Sequence, residues 1–285
     1  MKSTRTILDD ILIDVRKELA AAKADHSFAD LKRMIADAPP VRSFKAALQS
    51  EFGLIAEIKE RSPSHGPMRR ENVGAAAEAY ETSSVVRALS VLTNQTHFGM
   101  SMGRLQQIRS LTAKPILRKD FIFDEYQVYE ARAYGADAIL LMANMLESTE
   151  MQRLYALARD LGMNALFECH TREQIEQVPR DAEVYGINSR TFDSSAARYS
   201  VSALLGKLGS KRDFTIESDR FELGQYLPAR AIKVAESGVH PDTVAQLRDK
   251  LGYDAALVGT SLLTAQDGIV AELHAFETAL ASRAM

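Results

Sequence analysis

Short apolar runs, most of them closed by a polar residue, alternate along the chain with longer stretches whose apolar positions recur every three or four residues. The runs are Leu54–Lys59, Ala88–Thr93, Pro115–Asp120, Ala138–Met142, Ala165–Glu168, Val184–Asn188, Ala231–Glu236 and Ala255–Gly259. Runs of this length predict strands covered on both faces, and the helical period between them predicts crossover helices. The helices fall at Val73–Thr82, Gly103–Leu111, Asp124–Tyr134, Glu147–Leu161, Arg172–Val178 and Pro241–Leu251, with Gly135 and Gly162 as helix stops. Alternation of this kind predicts an α/β fold, a closed parallel (β/α)8 TIM barrel. An open doubly wound sheet is the rival, but the Gly-x-Gly-x-x-Gly turn expected after its first strand is missing.

About fifty residues precede the first run, more than a barrel needs. Thr6–Ala24 places Ile7, Ile11, Leu12, Val15 and Leu19 at helical spacing, and Phe28–Ala36 continues the pattern until Pro39 and Pro40 break it. Residues 1–48 are therefore expected to form an N-terminal helical extension of a single barrel domain whose body is 49–285. Two placements stay open: a cap on the barrel floor, or a lid over the mouth in which Phe44 helps cover substrate.

Composition adds exclusions. A chain of 285 residues, 46% hydrophobic and 26% charged, is long enough to bury one large core. Its formal charge of -3 and lack of basic runs argue against nucleic acid or an anionic membrane surface as the main partner. The polar start of the chain does not read as a signal peptide, and no uncharged run nears the roughly 20 residues of a membrane helix. A lone cysteine, Cys169, excludes an intramolecular disulfide and a Cys-rich metal site, and a reducing cytoplasm fits.

The chemistry sits at the ends of the runs. Leu54-Ile-Ala-Glu-Ile-Lys-Glu-Arg-Ser-Pro-Ser64 puts Glu57 and Lys59 inside an apolar strand, and side chains two apart share a face. Burying one charge there is costly unless it is paired or used, and a carboxylate beside an ammonium answers both needs. Catalytic groups of barrels lie at the carboxyl ends of strands, so Glu57, Lys59, Lys119, Glu168, Asn188 and Glu236 would form one ring. Ser237 and Gly238 follow the seventh run, and Gly259 and Thr260 the eighth, where barrels commonly hold a phosphate on backbone N–H groups. A phosphorylated small molecule is the expected substrate.

Several motifs resemble the indole-3-glycerol phosphate synthase family of tryptophan biosynthesis: Ala56-Glu-Ile-Lys-Glu-Arg-Ser-Pro-Ser64, Leu89-Ser-Val-Leu-Thr93, Leu117-Arg-Lys-Asp-Phe121, Tyr126-Gln-Val-Tyr-Glu-Ala-Arg132, Gly186-Ile-Asn-Ser-Arg190 and Ala235-Glu-Ser-Gly238. They span most of the chain in the family's order. The resemblance implies a barrel with a helical extension that converts 1-(2-carboxyphenylamino)-1-deoxyribulose 5-phosphate to indole-3-glycerol phosphate, CO2 and water, with no cofactor and no metal. It implies Lys119 as general acid for the ketone, Glu57 as the group that orients the lysines, and Lys59 with Glu168 for the later dehydration. Asn188 and Glu236 resemble ligands of the ribulose hydroxyls, and Arg190 and Ser62 resemble groups near the anthranilate carboxylate. Ser237, Gly238, Gly259 and Thr260 would hold the phosphate, while Phe121 and Leu140 would wall the aromatic ring. Monomer and homo-oligomer are both open.

The chain departs from the family pattern in places. His65 stands where a lysine is common, Ser83-Ser84 replaces Gly-Gly, Phe98-Gly-Met-Ser101 carries Met for Gly, and Cys169 replaces Val. About twenty extra residues, roughly 193–212, follow Phe192 as an expected inserted loop with a short helix at Val201–Leu208 and basic Lys207, Lys211 and Arg212. Such a loop is a surface elaboration or a lid on the anthranilate side, so a paralogue with a modified substrate is an alternative. Cys169 should face outward into the strand–helix layer, and His170 reads as a group behind the site or a helix cap. His26, His97, His240 and His274 have no partner at metal-ligand spacing. A phosphosugar isomerase and a non-catalytic phosphate-binding barrel are the remaining rivals. The first needs fewer acid–base groups, and the second has no use for buried charge.

Overall fold

The computed structural model describes residues 7–63, 65–192 and 214–281. Eight parallel strands close into a barrel: β1 Gly53–Ile58, β2 Val86–Leu92, β3 Ile116–Lys119, β4 Ala138–Met142, β5 Asn164–Cys169, β6 Val184–Asn188, β7 Ile232–Glu236 and β8 Ala255–Val258. Each expected run overlaps one of them. The helices in chain order are α1 Ile7–Asp25, α2 Phe28–Asp37, α3 Phe44–Gln49, α4 Arg70–Thr82, α5 Gln95–Phe98, α6 Met102–Leu111, α7 Glu125–Ala133, α8 Ser148–Asp160, α9 Arg172–Gln177, α10 Val244–Asp249, α11 Thr260–Thr264 and α12 Ile269–Ala281. A 3-10 helix, Ser218–Tyr226, stands between β6 and β7 where no helix was expected. The helix expected over Pro241–Leu251 is only Val244–Asp249, because a hydrogen-bonded turn at His240–Thr243 occupies its start. Gly135 and Gly162 end α7 and α8 with φ of 91° and 79°, the left-handed region that glycine enters at no cost.

Alternation along the strands divides the core. Ile55, Leu117, Ala138, Leu140, Leu166, Val184, Ile232, Val234 and Leu257 fill the barrel, while Leu54, Ala56, Ile139, Leu141, Phe167 and Ile187 pack outward under the helices. Cys169 belongs to that outer layer and is fully buried. Ser83 and Ser84 both donate to Glu277 of α12 at 3.0 Å, so that replacement ties the last helix to the barrel.

The extension serves both ends of the barrel. Helix α1 lies at the mouth: Glu18 accepts from Asn94 Nδ2 (2.9 Å) and from the N–H (3.1 Å) and hydroxyl (2.9 Å) of Thr96, and Lys23 meets Asp124 at 2.7 Å. Helix α2, capped by Ser27 and Asp30, packs on α7. The chain then descends to the floor, where the backbone N–H of Arg42 meets Asp137 and that of Lys45 meets Asn164, just before and at the starts of β4 and β5. Phe44 and Leu48 of α3 plug the floor among Ile55 and Leu117. Phe44 therefore seals the floor rather than covering the mouth, and the part of the extension at the mouth is α1.

Candidate active site

The strand ends place Glu57, Lys59, Lys119, Phe121, Leu140, Glu168, Asn188, Arg190, Glu236, Ser237, Gly238, Gly259 and Thr260 around one cavity of about 330 Å³ at the barrel mouth. Ser62 is the exception. It is buried behind the wall in a two-residue antiparallel pair with Gly66, where its hydroxyl accepts the backbone N–H of His65 at 3.1 Å. His65 itself lines the cavity.

Two lysine–carboxylate groups form the base of this cavity. On β1, Glu57 and the following Lys59 are ion-paired with both side chains almost fully buried. Across the barrel, Lys119 Nζ lies 3.1 Å from Glu168 Oε2 and 3.3 Å from Glu236 Oε2. Burial pushes the Glu57 carboxyl up, but Lys59, Lys119 and Arg190 together hold it below its usual range. Burial alone would lower the Lys119 ammonium, and Glu168, Glu236 and Glu57 reverse this and hold it well above its usual value. Glu168 and Glu236 share that one cation. Burial raises both, yet Lys119, His170 and a hydrogen bond with Asn188 keep Glu168 low. Glu236 is pushed up to about 8, by burial first and by the neighbouring Glu168 against the pull of Lys119. The pair thus holds a proton near neutrality.

Glycines make room for these charges. A Cβ at Gly186 of β6 would stand 1.9 Å from Glu236 Oε1, and one at Gly259 would stand 2.4 Å from Glu57 Oε1. Each carboxylate leans into the volume a side chain would fill. The Leu117-Arg-Lys-Asp-Phe121 motif is built the same way. Leu117 and Lys119 point inward, while Arg118 points outward, where it pairs with Asp120 (3.0 Å) and Glu130 (2.8 Å) and donates to Thr93 (3.1 Å). That buried network fixes the end of β3 and hence the lysine.

After β7 the backbone takes two consecutive left-handed residues, Ser237 (φ 67°) and Gly238 (φ 66°). Positive φ is costly for serine, and Ser189 steadies the turn by donating its hydroxyl to the Ser237 carbonyl at 2.9 Å. Opposite, the short strand Arg190–Phe192 pairs with Phe214–Ile216, and the Arg190 N–H donates to Asn188 Oδ1 at 3.0 Å. The expected inserted loop, 193–212, with its helix Val201–Leu208, lies outside the described residues.

Sequence reasoning missed His65, Phe98, Ile216 and Ser261 in the cavity wall. Phe98 ends the short helix that follows β2 and Ser261 is the second residue of the helix that follows β8, positions readable in principle once those strands are placed. Ile216 carries no such signal, because its place depends on pairing across a long stretch of chain.

Buried lysines and glutamates converging at the carboxyl ends of eight parallel strands define a (β/α)8-barrel enzyme working by acid–base chemistry. A family model described as indole-3-glycerol phosphate synthase matches residues 8–204, and the chain belongs to that family. Relatives carrying that name include one from Saccharopolyspora erythraea, 36% identical over 92% of this chain and 91% of its own, and one from Nocardioides sp., 38% identical over 90% and 93%. Among solved structures, the barrel is similar to KGPDC from Streptococcus mutans (TM-score 0.53, 12% identity, 81% of this chain and 98% of that one). Thiamine phosphate pyrophosphorylase from Pyrococcus furiosus gives a TM-score of 0.54 at 14% identity over 84% and 98%. At such identities these two likenesses speak to the fold alone. Among the described residues, no helix is long and apolar enough to cross a membrane.

Proposed function

We propose that this protein closes 1-(2-carboxyphenylamino)-1-deoxyribulose 5-phosphate to indole-3-glycerol phosphate, with loss of CO2 and water. One observation carries the reading: a lysine ammonium within 3.3 Å of two buried carboxylates shares its cavity with a second buried lysine–glutamate pair. Attack of the aromatic carbon on the ketone builds charge on oxygen, and Lys119 delivers a proton there. The surrounding carboxylates hold its pKa high, so the proton passes together with the growth of charge on the oxygen rather than ahead of it. Rearomatisation drives loss of CO2, and the protein holds geometry for that step. Dehydration then needs an acid for the leaving hydroxyl and a base for a proton of the ring system, and Lys59 and Glu168 supply them.

Glu57 stands between the two lysines and orients both. Arg190 meets the anthranilate carboxylate, and Ser62 acts through the loop that carries His65. Asn188 and Glu236 bind ribulose hydroxyls, with Glu236 able to donate as well as accept because it holds a proton near neutrality. The Ser237–Gly238 and Gly259–Thr260 backbones receive the phosphate, while Phe121 and Leu140 flank the ring. The reaction forms one carbon–carbon bond and releases CO2 and water with no outside oxidant or reductant, so no cofactor or metal is assigned to it. Extension and barrel work as one unit, in the cytoplasm, as a monomer or homo-oligomer, with no nucleic-acid or membrane partner.

The test is an indole-fluorescence assay on this substrate with the wild type and Lys119→Ala. Product from the wild type and a fall of at least about a hundredfold in the variant are expected from loss of a general acid. No product from the wild type overturns the assignment.

A further inference from the structure

Glu168 is 1% exposed, and its two oxygens face different neighbours. Oε2 accepts from Lys119 toward the cavity, whereas Oε1 lies 3.6 Å from Nε2 of His170. His170 follows β5 and is 8% exposed, and neither of its ring nitrogens has a hydrogen-bond partner among the described residues. It is not the helix cap: Thr171 caps α9 by accepting the Gln174 N–H. The backbone N–H of His170 donates to Gln174 Oε1 at 2.7 Å, which fixes the main chain beside the ring.

His170 also lines a second, open cleft of about 410 Å³, shared with Thr171, Arg172, Glu217, Asp219 and Arg220. His170 thus lies against Glu168 and also lines the outer cleft. Two buried nitrogens without partners are costly as packing and are what a proton carrier requires.

We propose that His170 is the proton exit of the active site, carrying to solvent the proton that Glu168 takes from substrate. This rests on the reading of Glu168 as the base. The O–H bond of the protonated Glu168 breaks as an N–H bond forms at His170 Nε2. Both ring nitrogens are buried, so the ring swings toward the outer cleft to hand its Nδ1–H proton to water there, and Glu168 returns to carboxylate. No electrons change hands, and tautomer exchange through water resets the ring. A gap of 3.6 Å is longer than a hydrogen bond, and a small rotation of the ring closes it. The charged groups facing the ring are Glu168 on β5, Lys119 on β3 and Arg220 on the 3-10 helix, the last paired with Glu217 at 2.6 Å. Burial, Arg220 and Lys119 outweigh Glu168 and keep the imidazole below its usual pKa, hence neutral and able to accept at pH 7.

The test uses the full chain with saturating substrate, comparing wild type, His170→Gln, His170→Ala and Glu168→Gln, each with its melting temperature recorded. In dilute buffer both His170 variants should lose about tenfold in kcat with KM unchanged, a part of what general acid–base catalysis contributes. Imidazole and other small buffers should restore His170→Ala in proportion to their basicity. A packing role predicts no such dependence on buffer. Turnover within about twofold of wild type for both His170 variants, or a loss that no buffer repairs, overturns the relay while leaving Glu168 in place. Near-normal turnover of Glu168→Gln overturns the base assignment, and the relay with it.

Discussion

Asp137 and Glu236 are both buried carboxylates of the same barrel, one at the floor and one at the mouth, at 0% and 1% exposure. Asp137 accepts the backbone N–H of Arg42 at 2.7 Å and that of Ile116 at 2.8 Å, and it pairs with Arg109, which also donates to the Pro40 carbonyl. Glu236 has a share in one ammonium at 3.3 Å, and its Oε1 has no hydrogen-bond partner among the described residues. Burial pushes the pKa of both upward. What differs is how fully each is supplied with donors. A carboxylate with its full set of donors joins parts of the fold, and one left short either holds a proton or awaits a ligand.

The largest effect that sharpens this contrast is expected from Glu168→Gln at the mouth. Indole formation should fall by about 10² to 10⁴-fold, the range of a lost general base, while the melting temperature holds or rises. At the floor, Asp137→Ala should do the reverse. It leaves the Arg109 guanidinium buried without its anion, so denaturant unfolding should show about 3–5 kcal/mol lost, with turnover per folded molecule unchanged. If Asp137→Ala instead lowered kcat at full folding, the division between the two ends would fail.

A steric probe comes next. Gly186→Ala sets a methyl group against Glu236 and should reduce kcat/KM by about a hundredfold through displacement of that carboxylate. An unchanged value would mean that the position of Glu236 is not critical.

The same contrast should also show in the pH dependence of stability. An unfolded glutamate titrates near about 4.3, whereas Glu236 in the fold titrates at about 8. The native state therefore keeps a proton that the unfolded chain has lost, and this contribution is complete below about 4.3 and gone once pH passes about 8. Stability attributable to Glu236 should decline across that window, and Glu236→Gln should flatten the decline. Glu168, held low, adds no slope there. Parallel curves for wild type and Glu236→Gln, from urea unfolding at pH 5 through 8, would count against the raised carboxyl.

Much of this was legible along the chain because barrel strands have an inward face of period two. Reading Ile55, Glu57 and Lys59 as one face, and doing the same for Leu117 with Lys119, Leu166 with Glu168 and Val234 with Glu236, puts five charges at one depth without any long-range information. The placement of Phe44 was not legible. A short amphipathic helix looks the same whether it covers a mouth or a floor, and the deciding contacts, at Asp137, Asn164 and Glu183, lie 95 to 138 residues away. Ser237 gave no sign of its left-handed backbone, since the residue that steadies it, Ser189, is 48 positions earlier. The pairing of Arg190–Phe192 with Phe214–Ile216, which brings Ile216 to the cavity, is likewise set by contacts between distant segments.

The path of residues 7–49 has an effect on tolerance to shortening. They run as one strap from rim to base, so the two seals are lost in sequence as the chain is trimmed. A cut ahead of Ser27 strips the clasp that Glu18 makes on Asn94 and Thr96 and leaves the base closed. A cut beyond Leu48 also withdraws the plug beneath Ile55 and Leu117, opening the barrel to water from below.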